Sequence, residues 1–462
     1  MTNIGGAQVN GYVPGDTVLR NGDKVILLNN NAGIETTGTT YTGKLAVGVS
    51  VLKEVTVKKE DENNIVLTVA GDNDKPNGND KPGSNNNPGG NNDKPGGNGK
   101  PGSNDKPGGN DKPDSNDKPG GNDKPGSNDK PGGNDKPGSN DKPGGNNQKP
   151  DKLTPDTKSF AETFVAAAAF LNQGADLLAD AGIAQAKTAA KTGNGEWEGF
   201  ITAGGNKLKI KTGSHVNIDG YNLSAGVAKN IITNNGKLLF APVFEYGNGS
   251  YDSYLDNGLH GEGKTSYTGG GIIVRQENND GVYYEGSVRA GRVKTDYKAG
   301  KLVAADGKVA AYDTDGTYFG AHVGIGKIKD LRENRELEYY GKFFYSRTGS
   351  TDAKLTTGEK YNFDSVDSER LRLGSRYAHR LSKQSKLYTG LAWEYEFGGE
   401  ATAHFNQSST ASPSLKGSTG LLELGWQIQP GDRNAMNLDL NMTGKLGQQK
   451  GLTFRAAANW TF

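Results

Sequence analysis

The sequence predicts an all-β membrane protein, a 12-stranded antiparallel transmembrane β-barrel with an α-helix threaded through its pore. Three observations predict it. The last stretch, 451–462, alternates: Phe454, Ala456, Ala458, Trp460 and Phe462 share one face, and Thr453, Arg455, Ala457, Asn459 and Thr461 share the other. Twelve alternating segments run from Trp197 to the end of the chain, with short turns and long loops taking turns between them. One long helix of mixed polarity precedes them. A membrane barrel turns its aromatic residues outward to the lipid–water boundary. The alternative, a soluble sandwich, would bury them in a core.

Composition fits that class. Hydrophobic residues make up only 32% of the 462 and Gly is 70 of them. No run of about 18 apolar residues exists, so no transmembrane helix is expected. Barrel strands escape that test, since each needs only about ten residues of weak alternation. Cysteine is absent, which excludes disulfides, thiolate metal sites and a thiol nucleophile. Net charge is +1, so no global field draws in nucleic acid. Met1-Thr-Asn-Ile-Gly-Gly has neither a basic start nor an apolar core and is not a secretory signal. If the protein is exported, this sequence is expected to be either a fragment or an incomplete gene reading.

Residues 1–71 read as short β-strands with little apolar mass, small for an independent core. Asn21-Gly22 between Thr17-Val-Leu-Arg and Lys24-Val-Ile-Leu-Leu predicts a hairpin. The segment makes best sense as β-helix-like rungs at the end of a longer structure. Residues 72–153 are a spacer built on the repeated hexamer Asn-Asp-Lys-Pro-Gly-Gly/Ser. Nothing in it can be buried to offset chain entropy, so it reads as a disordered tether about 50 Å or more across.

Residues 154–191 form the predicted helix. Thr154-Pro155 offers an N-cap with proline at the first helical position, and Ser159 with Glu162 matches a capping box one turn later. Phe160, Phe164, Leu171, Leu178 and Ile183 recur at helical spacing, while Ala and Gly residues keep the rod thin. At 1.5 Å per residue it is roughly 45 Å long, enough to cross a bilayer. Asp176 and Asp180 forbid contact with lipid, which leaves the lumen of a barrel; the alternative is an amphipathic helix on a soluble sheet.

The barrel, 192–462, carries its strands at 197–211, 216–229, 237–246, 267–275, 282–297, 315–327, 337–346, 370–379, 387–397, 418–428, 436–445 and 452–462. Long loops are expected at 248–264, 299–311, 348–365 and 398–416. Pro242 removes a ladder donor inside the third strand, where a bulge is expected. Charges then test the arrangement. Arg370, Arg372 and Arg376 share one parity, and Glu394, Glu396, Glu423, Asp439 and Arg455 each oppose apolar neighbours. A lipid-facing Arg at mid-depth costs about 2–4 kcal/mol. All of them can face the lumen together. There they line the wall, and Asp176 and Asp180, four apart on one helical face, are expected to meet the arginine row.

Residues from about 157 onward resemble the C-terminal translocator domain of autotransporters, the one-chain type V secretion systems. The resemblance rests on the helix before Gly195-Glu-Trp-Glu-Gly199, on Gly390-Leu-Ala-Trp-Glu-Tyr-Glu-Phe397, on Leu421-Leu-Glu-Leu-Gly425 and on Trp460-Thr-Phe462. It implies a pore helix containing Phe164, Leu171, Asp176, Leu178 and Asp180. It also implies an assembly signal of Phe454, Trp460 and Phe462 read by the barrel-assembly machinery. Residues 1–71 would then be the end of a passenger. Outer-membrane lipid and lipopolysaccharide, periplasmic chaperones and a host or cell-surface ligand of the passenger are the further partners implied, for a monomeric barrel in the bacterial outer membrane. Leu171-Asn-Gln-Gly174 lacks the Asn-Asn pair that some members cut, so self-cleavage there is not expected.

Other motifs point nowhere. Gly258-Leu-His-Gly-Glu-Gly263-Lys264-Thr265 has the letters of a phosphate loop, but a strand pattern follows where the chemistry requires a helix N-terminus. The five histidines show no metal spacing and no Gly-x-Ser-x-Gly occurs. The expectation is therefore no enzyme, no cofactor, no metal and no catalytic residue. The function expected is non-catalytic export and surface display of an N-terminal passenger. The alternatives are an adhesin whose barrel is only an anchor, and a porin-like channel or barrel enzyme.

Overall fold

A computed structural model of the chain describes residues 2–3, 10–20, 22–35, 40–69, 151–192, 195–331, 334–429 and 436–460. The hexamer repeats, Asn21 of the expected hairpin and Phe462 lie outside the described residues.

The N-terminal strands are β1 (Thr2–Asn3), β2 (Asn10–Val13), β3 (Lys24–Asn29), β4 (Ile34–Glu35), β5 (Thr40–Val47), β6 (Val51–Lys59) and β7 (Asn64–Val69). Five of them form a sheet in the order β2-β5-β6-β7-β3. Period-two alternation puts Leu45, Val55, Val57, Ile65, Leu67 and Val69 into one small core. Stacked rungs would pair strands in parallel; within this sheet only β2 and β5 do, and the other pairs are antiparallel. The connections after β5 and β6 are too short for a parallel crossover, so each folds back as a hairpin. The expected hairpin at Gly22 is replaced by a single turn, closed by Asp23 N donating to Arg20 O at 3.0 Å. Residues 17–20 form no strand, and β3 pairs with β7 instead.

The helical segment opens with a 3-10 turn, Pro155–Thr157, continues as α1 (Lys158–Leu177), passes through a π-helical turn, Leu178–Gly182, and ends as α2 (Ile183–Thr192). Pro155 does occupy the first turn, but Thr154 makes no side-chain cap bond. The capping box is also absent, because the helix already starts at Pro155 and Ser159 is no longer a cap position. Its hydroxyl donates to Asp156 O at 2.6 Å. Every residue from Ser159 to Leu177 is buried, polar ones included. An amphipathic helix on a sheet would leave one face wet, so that alternative fails.

The barrel follows as β8 (Glu198–Lys211), β9 (His215–Thr233), β10 (Gly236–Tyr254), β11 (His260–Asn278), β12 (Val282–Val303), β13 (Val309–Leu331) and β14 (Arg335–Thr348). Two small strands, β15 (Thr351–Lys354) and β16 (Lys360–Phe363), lead to β17 (Val366–Ser382) and β18 (Ser385–Glu396). Two more, β19 (Ala403–Phe405) and β20 (Ser408–Ser409), precede β21 (Gly417–Ile428), β22 (Met436–Gly447) and β23 (Gln449–Trp460). Among the described residues, twelve strands close into one antiparallel ring, with β23 pairing β8 from Gln449↔Ile210 to Trp460↔Gly199. The four small strands form a separate sheet from two loops at one rim. Closure leaves no free sheet edge, the requirement for spanning lipid. No described helix is long and apolar enough to cross a membrane.

Side chains alternate across the wall. Arg370 and Arg372 face inward at 0% and 2% exposure, while Leu373, Trp393, Leu422, Leu424, Trp426 and Phe454 stand on the outer face. Two expectations are corrected. The stretches 248–264 and 299–311 are mostly strand, with turns only at 255–259 and 304–308. Pro242 causes no bulge: the β9–β10 register is the same on both sides of it, and only the pairs at Ala241 and Pro242 are missing. Losing a donor locally is cheaper than shifting a 19-residue strand by one, which would turn every side chain to the wrong face.

Candidate functional site in the barrel lumen

The lumen holds the helix at two levels of different chemistry. Near the rim that carries the small sheet, the seat is aromatic. The Phe160 ring meets Tyr297 at 5.3 Å and Tyr361 at 5.2 Å edge-on, and Phe164 stacks on Phe363 at 4.3 Å. Their polar tips are used as well. Tyr312 donates to Phe160 O at 2.7 Å, and the Tyr297 and Tyr251 hydroxyls bond Ser159 and Thr163 at 2.6 and 2.8 Å. Burial pushes the Tyr361 hydroxyl above its ordinary range. Phe170 enters the wall over Gly220 and Gly249, where an added Cβ would stand 2.7 and 3.0 Å from its ring. Glu162, which the sequence suggested as a cap, turns to the wall and accepts from Thr212 at 2.7 Å and from Ser214 and Ser253.

About three turns beyond Phe164 the seat is ionic. Asp176 Oδ1 accepts from Arg370 at 2.8 Å and Arg372 at 2.7 Å, and Lys445 lies 3.3 Å from its other oxygen. Asp180 takes Lys342, Arg372 and Arg455 at 3.1, 3.1 and 3.0 Å. Both aspartates thus meet the arginine row. Glu394 closes the layer against Arg370 at 3.2 Å and Arg372 at 2.7 Å, and the two guanidiniums stand over the Phe344 ring. The wall also grips the helix backbone. Arg289 donates to Leu171 O and Lys342 to Ala179 O, both at 2.7 Å. Gly174 allows this approach: a Cβ there would lie 2.0 Å from the Tyr267 hydroxyl. Charges taken out of water persist only when paired this fully.

The other lumen residues sit elsewhere. Arg376 pairs with Glu423 at 2.8 Å and Glu338 at 3.2 Å, and Asp439 accepts from Tyr388 and Gln427, around a cavity of about 200 Å³ beside α2. Glu396 leaves the arginines to the others and accepts from Ser368 at 2.6 Å, whose hydroxyl in turn accepts from Asn172 at 2.8 Å. Leu171 packs within the aromatic cluster and Leu178 against Ile183, Phe200 and Leu239. Phe454 is on the outer face, Trp460 ends the last described strand, and Phe462 lies outside the described residues. Lys342, Lys445 and the Arg289–Glu245 pair, 2.9 Å apart, are additions to the predicted set. The same parity argument finds them, since Lys342 alternates with Phe343 as Arg372 does with Leu373.

The phosphate-loop letters fall on a turn and the start of β11, with no helix after them. Asp252, His260 and Glu262 converge on the outer face across the β10–β11 hairpin and could offer three ligand atoms to a cation; His260 Nε2 is 2.9 Å from Asp252 Oδ1. Hairpin register brings them together, so linear spacing could not show it.

Comparisons with known proteins agree with this geometry. The autotransporter beta-domain family matches residues 197–441. The chain is 25% identical over 216 residues to the autotransporter CRAC of Citrobacter rodentium, covering 43% of this chain and 13% of that protein. It is 24% identical over 188 residues to the autotransporter adhesin/invasin TibA of Escherichia coli, covering 39% and 19%. These matches therefore span less than a fifth of either relative's length. The transport unit of the autotransporter AIDA-I from Escherichia coli has the same fold, with a TM-score of 0.50, 12% identity, and cover of 67% of this chain and 100% of that one.

Proposed function

The chain belongs to the autotransporter beta-domain family, and from that premise we propose that it inserts in the outer membrane and exports and displays its own N-terminal segment without catalysis. The observation that carries this is the course of the chain. Residues 10–69 lie at the rim of the small sheet, the helix runs down the lumen, and α2 delivers the chain to β8 at the opposite, short-turn rim. A chain threaded through its own barrel is what remains when a segment has passed through and the last part stays behind. In this reading 1–71 is the end of a passenger, 72–153 its spacer, 154–191 the plug and 192–462 the barrel. The wide rim faces outside the cell and the short turns face the periplasm. Barrel-assembly machinery reading Phe454, Trp460 and Phe462, periplasmic chaperones and lipopolysaccharide are its partners. A second reading, an adhesin whose barrel is only an anchor, draws on the name adhesin/invasin of one relative.

Planar-bilayer conductance tests the threaded state. The full chain conducts weakly. Deleting 154–191 raises conductance several-fold while the heat-resistant, fast-migrating barrel band is kept. Equal conductance with and without the helix returns a porin-like channel to first place.

A further inference from the structure

The N-terminal sheet is joined to the barrel by more than its peptide connection. Glu359, in the turn of the β15–β16 hairpin, is 0% exposed. One of its oxygens accepts from Val49 N at 2.6 Å and Ser50 Oγ at 3.0 Å, and the other from Thr357 Oγ1. A carboxylate buried this way, held by an amide and two hydroxyls, is a specific docking contact. The sheet is shaped to receive it. A Cβ at Gly15 or Gly48 would stand 2.4 or 2.1 Å from the Glu359 side chain, and Gly48 adopts φ 55°, which glycine accommodates without strain. Around this point Tyr361 donates to Ser50 Oγ at 2.8 Å and Gly15 N to Thr357 O at 3.0 Å. Val47 and Val51 join the same apolar cluster as Phe160, Tyr361 and Phe363. The sheet also holds the residues that lead into the helix: Thr154 N donates to Ser50 O at 2.9 Å, Val51 bridges Leu153, and Lys53 pairs with Asp151 at 3.0 Å.

The described residues on either side of 74–148 belong to one compact unit. A tether sets the distance between two bodies only when they are apart, and here they are docked.

We propose that the β15–β16 hairpin is a receptor for the N-terminal sheet, with Glu359 as its anchoring residue, and that docking rather than the connection through 74–148 holds residues 10–69 at the barrel mouth. The partner it fits is a glycine-flanked strand turn with a free amide and a hydroxyl, Gly48-Val49-Ser50. Cutting the connection leaves the segment bound.

The test uses the full chain, folded in detergent, with a protease recognition sequence inserted among the hexamers at 104–133. After complete cutting, the N-terminal fragment co-elutes with the barrel on size exclusion. Elution of the fragment on its own from the otherwise unaltered protein overturns the proposal. In Glu359→Lys the fragment separates after cutting while the heat-resistant barrel band is kept; retention equal to the unaltered protein overturns the anchoring role. Should Glu359→Lys yield no folded barrel, Glu359→Gln decides. It keeps the shape and loses the charge-assisted bonds, so the cut fragment dissociates at least about tenfold faster, and an unchanged rate overturns the role. The inference rests on the display reading only for which side of the membrane the hairpin faces. Protease added to intact cells separates the two: failure to cut there, with co-elution in detergent, counts against display alone.

Discussion

The aromatic and ionic seats hold the same helix by opposite means. Around Phe160 and Phe164 the contacts are ring on ring, within 6.3 Å and at mixed angles. Dispersion and burial act in every direction, so such a seat fills space and excludes water while tolerating small shifts. Around Asp176 and Asp180 the contacts are charged and directional, and each carboxylate is shared among three cations. A one-residue slide or a rotation of α1 would strand buried charges. The aromatic level therefore mainly seals, with hydroxyl bonds to Ser159, Thr163 and Glu162 adding to the register, and the ionic level contributes most to how deep and in what rotation the helix stops. On the proposed export reading, a segment that slides through the lumen before it rests there is suited by this division, because the ionic contacts around Asp176 and Asp180 form together in the register seen.

The largest effect that separates the levels is expected from Asp176→Ala. It removes the carboxylate shared by Arg370, Arg372 and Lys445. Among the described residues this leaves Arg370 with Glu394 alone, Arg372 with Glu394 and Asp180, and Lys445 with no carboxylate in contact. Breaking a buried pair on one side costs about 3–5 kcal/mol. The barrel band should lose heat resistance, and bilayer conductance should rise with a shift toward anions, since uncompensated cations line the opened path. Asp176→Asn, which keeps the acceptor oxygen, should lie between the two. Unchanged ion selectivity in Asp176→Ala would remove the distinction between the levels.

How much of this is legible in the sequence follows the same physics. The short walls β17, β18 and β21 to β23 can be read residue by residue, because one face meets lipid and the other a charged lumen. The tall walls cannot. Beyond the apolar belt the outer faces of β10 to β13 are polar while the inner faces stay buried, as at Tyr251 and Ala299, so the apolar-outward alternation is lost and strand reads as loop at 248–264 and 299–311. Glu162 matches a local capping rule, but its partners Thr212, Ser214 and Ser253 lie on the wall, and no local pattern links them to it. Glu359 and Val49 are 310 residues apart, so docking of the N-terminal sheet leaves no trace in any window. Asp176 and Asp180 are legible because a charge on a rod that must sit inside a barrel has one kind of neighbour open to it.

A smaller effect is expected at the aromatic level. Phe164→Ala empties a ring stacked on Phe363. Burying and filling such a site is worth about 3–5 kcal/mol for Phe→Ala in a closed core. Phe164 keeps 5% exposure near the mouth, so water can enter the gap and the low end applies. Conductance should rise modestly without a change in selectivity, which is the outcome that distinguishes sealing from registering. A selectivity change like that of Asp176→Ala would show that both levels act electrostatically.

The smallest effect tests whether the helix is gripped evenly along its length. Gly174 lies within the ionic grip and Gly182 at the end of the π-helical turn below it. Alanine favours helix over glycine by about 1 kcal/mol at either position, partly by restricting the unfolded chain. At Gly182 the added Cβ meets Leu178 Cδ1 at 3.3 Å and the Leu177 carbonyl at 3.6 Å, a contact that a methyl shift of a few tenths of an ångström relieves. Propensity then nearly balances crowding, and Gly182→Ala should change the melting temperature of the barrel by a few degrees at most, upward, with unchanged conductance. At Gly174 the same Cβ would fall 2.0 Å from the Tyr267 oxygen, and Tyr267 is held by its bond to Asn222 at 2.8 Å and by its contacts with Phe170 and Tyr318. Overpacking there costs about 1–3 kcal/mol, which outweighs the propensity gain. Opposite signs for one substitution, eight residues apart on one rod, place the grip at the ionic level; equal signs would spread it along the whole helix.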